Sequence, residues 1–256
     1  EGNWYLNRST AGFQALHWGS AGDVLVPGDY DGDGKTDTAI FRANADSTQP
    51  DFFILNSNGF TLSGVSWGIA NDVPVVADYD NDAKSDAAVF RPSTNTWYVL
   101  KSGGGFTATS FGQAGDVPVA GNFGGNANAD LTVYRNSTHS FVTQISGGAV
   151  VNFVHGAAGD ILVPADYDGD NIDDRAVYRP STGQWFVLRS TNGAVDISAW
   201  GNSTDVPVPG DYDGDGKDDY AVYRNGQWWI NKSTGGTTTL AFGTATDLAI
   251  PRSYLP

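Results

Sequence analysis

The stretch DYDGDGKTD, residues 29–37, carries aspartate at its first, third, fifth and ninth positions: Asp29, Asp31, Asp33 and Asp37. It returns as DYDNDAKSD (Asp78, Asp80, Asp82, Asp86), DYDGDNIDD (Asp166, Asp168, Asp170, Asp174) and DYDGDGKDD (Asp211, Asp213, Asp215, Asp219). A reduced copy, NFGGNANAD, occupies residues 122–130 and keeps only Asp130 as a carboxylate. The five copies start 44 to 49 residues apart, a period that points to stacked or radial repeats rather than one irregular globule.

Alternating carboxylates in a tight turn suit calcium, a hard cation that takes roughly six to eight oxygen ligands. The backbone carbonyl at position seven (Lys35, Lys84, Ile172, Lys217) is the expected additional ligand, leaving the side chain there unconstrained. Positions four and six should adopt positive φ, and the chain supplies Gly32 and Gly34, Asn81, Gly169 and Asn171, Gly214 and Gly216; only Ala83 is an awkward choice. An EF-hand is excluded: position twelve of the first loop is Ile40 rather than glutamate, and the flanks alternate like strands. The reduced copy should be metal-free, with Asn122, Asn126 and Asn128 hydrogen-bonding their own turn. About four calcium ions are therefore expected.

Composition agrees. The 29 acidic residues outnumber the 14 basic ones for a formal charge of −15, and the motif positions of the four intact loops hold sixteen of those acids. Without metal the carboxylates of each turn repel one another, so calcium should couple to stability. There is no basic run to attract nucleic acid, and no apolar stretch long enough to span a bilayer. The chain has no cysteine and no methionine, even at position one. Loss of a secretion signal is the expectation that follows, with millimolar calcium outside the cell matching the loops. Sequons at Asn7, Asn136, Asn202 and Asn231 permit glycosylation.

Each repeat reads as four short strands. In the fifth, VPVPG enters the loop, YAVYR leaves it, QWWINKS follows a turn, and TTTLAFG closes the unit. No window shows a helical period, and glycine, serine, threonine and asparagine fill the gaps. The expected fold is all-β, a β-propeller of four-stranded blades as a single domain over residues 1–256. Its repeats lie near 23–71, 72–115, 116–159, 160–204 and 205–246. The chain opens on a third strand and stops after a first strand, LAIPRSYLP, so residues 1–22 with 247–256 should form an incomplete sixth blade from the two termini.

Aromatic-glycine pairs at Trp18-Gly19, Trp67-Gly68, Phe111-Gly112, Trp200-Gly201 and Phe242-Gly243, an Asp-Val-Pro-Val run and the DxDxDGxxD loop together resemble the FG-GAP, or VCBS-type, repeats of bacterial secreted proteins and of the integrin α-subunit propeller. The resemblance covers essentially the whole chain. It implies that each metal loop joins the first and second strands of a blade, and that the protein acts in adhesion, sugar binding or structure. Two departures stand out: the third loop has lost its carboxylates, and His155-Gly156 replaces an aromatic-glycine pair.

An arginine closes each second strand (Arg42, Arg91, Arg135, Arg179, Arg224) and an aspartate precedes each first strand, which suggests bidentate pairs running across blades. His17 and His155 read as packing residues, and Trp229 and Tyr98 as rim aromatics able to stack on a sugar. No nucleophile motif accompanies the three histidines, and metal-held carboxylates are poor proton donors, so no enzyme is expected. The functional expectation is a secreted calcium-binding structural or adhesion module, self-associating into a filament or sheath through its incomplete blade or binding other extracellular proteins. The alternative is a lectin-like propeller that binds glycans.

Overall fold

The computed structural model describes residues 2–44, 46, 48–146 and 148–250. Every regular element among them is a β-strand. β1 (Asn3–Arg8) and β2 (Gly12–His17) form an antiparallel pair. Five four-stranded antiparallel sheets follow, each with its strands in chain order. The first holds β3 (Val24–Leu25), β4 (Thr38–Phe41), β5 (Phe52–Leu55) and β6 (Leu62–Val65); the second β7 (Val73–Pro74), β8 (Ala87–Arg91), β9 (Thr96–Leu100) and β10 (Phe106–Ser110). The third comprises β11 (Val117–Val119), β12 (Leu131–Arg135), β13 (Ser140–Gln144) and β14 (Val150–Val154). The fourth comprises β15 (Ile161–Leu162), β16 (Arg175–Arg179), β17 (Gln184–Leu188) and β18 (Val195–Ala199); the fifth β19 (Val206–Pro207), β20 (Tyr220–Arg224), β21 (Gln227–Asn231) and β22 (Thr237–Ala241). These are the blades of a β-propeller fold.

Burial follows strand position. The second strands are enclosed on both faces, as in β4 and β8, whereas the fourth strands alternate or lie open, as in β18 and β22. Small and branched side chains at second strands (Ala88, Val133, Val177, Val222) leave room for the large rings of the third strands (Phe52, Trp97, Phe141, Trp185), all nearly inaccessible. The chain divides into two compact units, Glu1–Ala114 with the first two blades and Gly115–Tyr254 with the other three.

Within each unit, successive blades are tied at the aromatic-glycine position. The indole N–H of Trp18 donates to the Phe53 carbonyl, Trp67 to Tyr98, and Trp200 to Trp229. His155 fills this role in the third blade, its Nε2 lying 3.0 Å from the Phe186 carbonyl oxygen, and its ring is buried as expected for a packing residue. His17 is not one. It is exposed and bonded to Asn3, because it precedes the tying position by one residue and so points to the other face.

The arginine-aspartate pairs form, but inside each blade rather than across blades. Arg42 binds Asp23, Arg91 Asp72, Arg135 Asp116, Arg179 Asp160 and Arg224 Asp205, each through Nε and Nη2. The first and second strands pair antiparallel, which sets the residue before one opposite the end of the other. Asp247 keeps its contacts to Thr244, and among the described residues no arginine reaches it. Leu248–Ile250 lie in no strand, and residues 251–256 of the expected sixth blade lie outside the described residues.

Candidate metal centres

Each acidic loop joins the first and second strands of its blade, the placement implied by the repeat resemblance. Positions four and six are left-handed throughout: Gly32 and Gly34 (φ 79° and 77°), Asn81 and Ala83 (62° and 64°), Gly169 and Asn171 (84° and 64°), Gly214 and Gly216 (79° and 86°). Ala83 accepts the strain of that conformation. The reduced loop shares it, with Gly125 at 74° and Ala127 at 68°, so its backbone shape has outlasted its carboxylates.

The first aspartate organises the turn. Asp29 accepts the N–H groups of Gly32 (2.7 Å) and Gly34 (2.8 Å), Asp78 those of Asn81 and Ala83, Asp166 those of Gly169 and Asn171, and Asp211 those of Gly214 and Gly216. The ninth aspartate is buried in all five copies and clamps the loop to the turn between third and fourth strands. Asp37 accepts the N–H groups of Tyr30 and Ser57, Asp86 of Tyr79 and Ser102, Asp174 of Tyr167 and Ser190, and Asp219 of Tyr212 and Ser233. Asp130 does the same with Phe123 and Ser146, which explains why the reduced loop retains it.

Ligand atoms of Asp29, Asp31 and Asp33; Asp78, Asp80 and Asp86; Asp166, Asp168 and Asp170; and Asp211, Asp213 and Asp219 converge within 4.8 Å in each group, so each group could hold a metal ion. The all-oxygen donor set fits a hard divalent cation. A further observation bears on that fit: Oδ1 of Asp80, of Asp168 and of Asp213 is buried and has no hydrogen-bond partner. A lone carboxylate oxygen withdrawn from water is costly unless a cation or donor meets it. Asp31 differs, its Oδ1 accepting the Asp33 N–H at 3.1 Å.

Burial, with neighbouring charge as a smaller cause, moves the pKa values of these carboxylates. Desolvation, with Asp168 nearby, pushes Asp174 up to about 6 against the N–H donors of Ser190 and Tyr167. Desolvation also raises Asp37, Asp86 and Asp219. Asp173 rises to about 7, chiefly by desolvation and then by Asp218, Asp166 and Asp174, against the Asn122 N–H.

Several participants escaped the sequence reading. Hydroxyls of Ser57, Ser102, Ser190 and Ser233 donate to the fifth-position carboxylates Asp33, Asp82, Asp170 and Asp215, and those of Thr191 and Thr234 to Asp168 and Asp213. A serine at matching places in the third-to-fourth strand turns was their signal. The tyrosine at position two is another: Tyr30, Tyr79, Tyr167 and Tyr212 each donate to the carbonyl four residues back, and the reduced loop has Phe123 there.

Two loop expectations need correction. The position-seven side chain is constrained in three loops: those of Lys84, Ile172 and Lys217 lie over the position-four glycines of the preceding loops, Gly32, Gly125 and Gly169, where an added Cβ would meet them at 2.6 to 3.1 Å. Lys35, exposed, instead pairs with Asp33 at 2.8 Å. In the reduced loop, Asn122 Oδ1 accepts the Gly125 N–H of its own turn, but Asn126 donates to Ser146 and the Asn122 amide to Asn171. Turn-to-turn distances are short enough that these amides reach beyond their own loop.

Of the four sequons, Asn7, Asn136 and Asn202 are exposed and Asn231 is half-buried. Tyr98 and Trp229 are also half-buried, with the guanidinium groups of Arg91 and Arg224 over their rings at 4.3 and 5.4 Å, so neither ring is a bare platform. Among the described residues no helix is long and apolar enough to cross a membrane.

No family model matches the chain, and no curated protein sequence matches it. Solved structures do. A lectin of Agrocybe aegerita, described as recognising non-reducing terminal N-acetylglucosamine, aligns at TM-score 0.59 and 15% identity over 92% of this chain and 72% of the lectin. Virginiamycin B lyase of Staphylococcus aureus aligns at TM-score 0.58 and 8% identity over 94% and 78%. PorZ, a surface component of the type-IX secretion system of Porphyromonas gingivalis, aligns at 0.56 and 10% over 94% of this chain and 31% of its own. At these identities the likeness carries the β-propeller fold. It overturns the expectation that the chain is no enzyme: that expectation took a repeat architecture without a nucleophile motif as grounds for exclusion, and a lyase is built on this fold.

Proposed function

We propose that the chain is a secreted, calcium-binding propeller of FG-GAP, or VCBS-type, repeats that acts as an extracellular structural or adhesion module. The observation that carries this reading is the buried, unpartnered Oδ1 of Asp80, Asp168 and Asp213, each inside a convergent carboxylate group. The ion would be held by Asp29, Asp31, Asp33 and Asp37; Asp78, Asp80, Asp82 and Asp86; Asp166, Asp168, Asp170 and Asp174; and Asp211, Asp213, Asp215 and Asp219. The carbonyl groups of Lys35, Lys84, Ile172 and Lys217 would complete the sets. Calcium supplies positive charge at a turn where carboxylates otherwise repel, and so links metal loading to the stability of each blade. Calorimetric titration of chelator-treated protein tests this, with about four ions bound per chain as the expected result; no heat of binding together with an unchanged melting temperature would refute it.

Self-association through the terminal hairpin is the proposed route to a filament or sheath. β1 pairs with β2 alone among the described residues, and a strand edge without a partner is a template for another chain. Sizing at rising protein concentration in calcium tests this part, and a monomer throughout would remove it. A second reading, glycan binding, is favoured by a polar cleft between the fourth and fifth blades.

A further inference from the structure

The four acidic loops share one backbone shape but not one set of surroundings, and the difference follows the division into units. Loops 29–37 and 78–86 lie in Glu1–Ala114, loops 166–174 and 211–219 in Gly115–Tyr254. The serine that meets each loop from the turn between third and fourth strands is followed by Asn58 and Gly103 in the first unit and by Thr191 and Thr234 in the second. Thr191 Oγ1 donates to Asp168 Oδ2 at 2.6 Å, and Thr234 Oγ1 donates to Asp213 Oδ2. The other oxygen of each carboxylate, Oδ1, is buried and has no hydrogen-bond partner. Each of these third-position aspartates is thus fixed through one oxygen and leaves the other for a cation, as a preorganised ligand does.

The first unit lacks this arrangement. Asp31 Oδ1 is taken by the Asp33 N–H at 3.1 Å, and Asn58 is exposed. Asp80 keeps a buried Oδ1, but its Oδ2 faces Gly103, which has no side chain to hold it; a Cβ added there would lie 3.0 Å away. Charge separates the units in the same direction. Position eight is Thr36 and Ser85 in the first unit but Asp173 and Asp218 in the second. The Asp218 carboxylate accepts the Asp166 N–H at 3.0 Å, and Asp173 lies within the field of Asp218, Asp166 and Asp174, so loop 166–174 has the more negative surroundings. In loop 29–37 the Lys35 ammonium sits 2.8 Å from Asp33 Oδ2, a pair that a metal ion has to part, whereas Ile172 brings no such cation to loop 166–174. Lys84 over Gly32 and Lys217 over Gly169 match each other and do not distinguish the units.

We propose that calcium enters the chain in two steps, filling loops 166–174 and 211–219 of the second unit at concentrations that leave loops 29–37 and 78–86 of the first unit unfilled, with Thr191 and Thr234 as the positioning residues that set this order. They act through the third-position carboxylates and touch no metal themselves. The inference rests on the calcium reading of the acidic loops and adds to it a graded response: as calcium falls, the first unit loses its ions while the second remains braced.

The test is amide hydrogen exchange of the chelator-treated full chain, read loop by loop by NMR as calcium is added back. Amides of 166–174 and 211–219 should gain protection at free calcium concentrations about tenfold lower than those of 29–37 and 78–86, the low end of what a hydrogen-bonded supporting group contributes to metal affinity. Replacing both threonines, Thr191→Val and Thr234→Val, should raise the second-unit midpoints about tenfold while leaving the first-unit midpoints and the melting temperature in chelator unchanged. Thr191→Ser with Thr234→Ser, which keeps both hydroxyls, should restore the original midpoints. A common midpoint for all four loops, or the reverse order, would overturn the two-step loading and needs no variant to show it. Second-unit midpoints indifferent to valine, or raised equally by serine and valine, would overturn the role of the threonines. Protection gained at no loop would refute the calcium reading itself, a failure distinct from loading in the wrong order.

Discussion

Asp218 accepts the backbone N–H of Asp166 at 3.0 Å and returns its own N–H to the Asp166 carbonyl at 2.7 Å, so the eighth residue of one acidic loop grips the first residue of the loop before it. The same step recurs from Asp173 to Asn122, through the Asp173 carboxylate and N–H, and from the Ser85 N–H to the Asp29 carbonyl. First residues organise their turns, so the loops are mechanically linked in series within each unit. Replacing Asp218 with alanine removes one acceptor and leaves the Asp166 N–H without its partner, a loss of about 1 to 2 kcal/mol. Calcium titration should show weakened binding at two loops, 166–174 as well as 211–219. A change confined to 211–219 would contradict the linkage.

The third and ninth aspartates should separate cleanly in mutants. Asp130→Ala strips the buried N–H of Phe123 and the N–H of Ser146 of their acceptor and should destabilise by about 2 to 3 kcal/mol, equally in calcium and in chelator. Asp168→Ala removes a carboxylate that accepts the Thr191 hydroxyl and otherwise holds a buried, unpartnered oxygen. It should be nearly neutral in chelator and costly only with calcium. Parallel melts of both variants with and without metal check the pair.

How much of this was legible in the sequence depended on whether a residue's task was local. The left-handed positions and the four-strand unit follow from turn chemistry and alternation within a few residues, and Gly32, Asn81 and even Ala83 behave accordingly. The contributions of Ser102 and Ser190 come from sixteen or more residues away and become visible only when the strands pair. In the sequence Asp130 is only the one carboxylate the reduced copy keeps, because its role in clamping two backbone N–H groups needs the fold to show it. His155 broke the aromatic-glycine pattern, yet its ring nitrogen occupies the place of an indole N–H, a substitution of function that residue type alone concealed.

That substitution can be tested directly. His155→Phe keeps an aromatic ring but leaves the Phe186 carbonyl without its ring-nitrogen partner, and should lower stability by about 1 to 3 kcal/mol. His155→Trp restores the N–H donor used by Trp67 and Trp200 and should recover at least half of that loss. Urea unfolding of the three proteins decides it; equal midpoints for the phenylalanine and tryptophan variants would show that ring packing, not the hydrogen bond, is what the position requires.

The metal-free loops also set a pH dependence with a definite sign. Asp174 has a folded-state pKa of about 6 and Asp173 of about 7, both above the 3.8 of an unperturbed aspartate. A carboxyl group whose pKa is raised by folding binds its proton more tightly in the folded state. Its contribution to stability is full below the unfolded value and is lost as pH rises through the folded one. In chelator, these two groups should therefore make stability fall between about pH 4 and pH 7, each by at most a few kcal/mol at about 1.4 kcal/mol per pKa unit. Calcium favours the ionised carboxylates and should flatten the decline. Urea midpoints measured across this window, with and without calcium, provide the check. Identical slopes in the two series would mean that the cation does not meet Asp174.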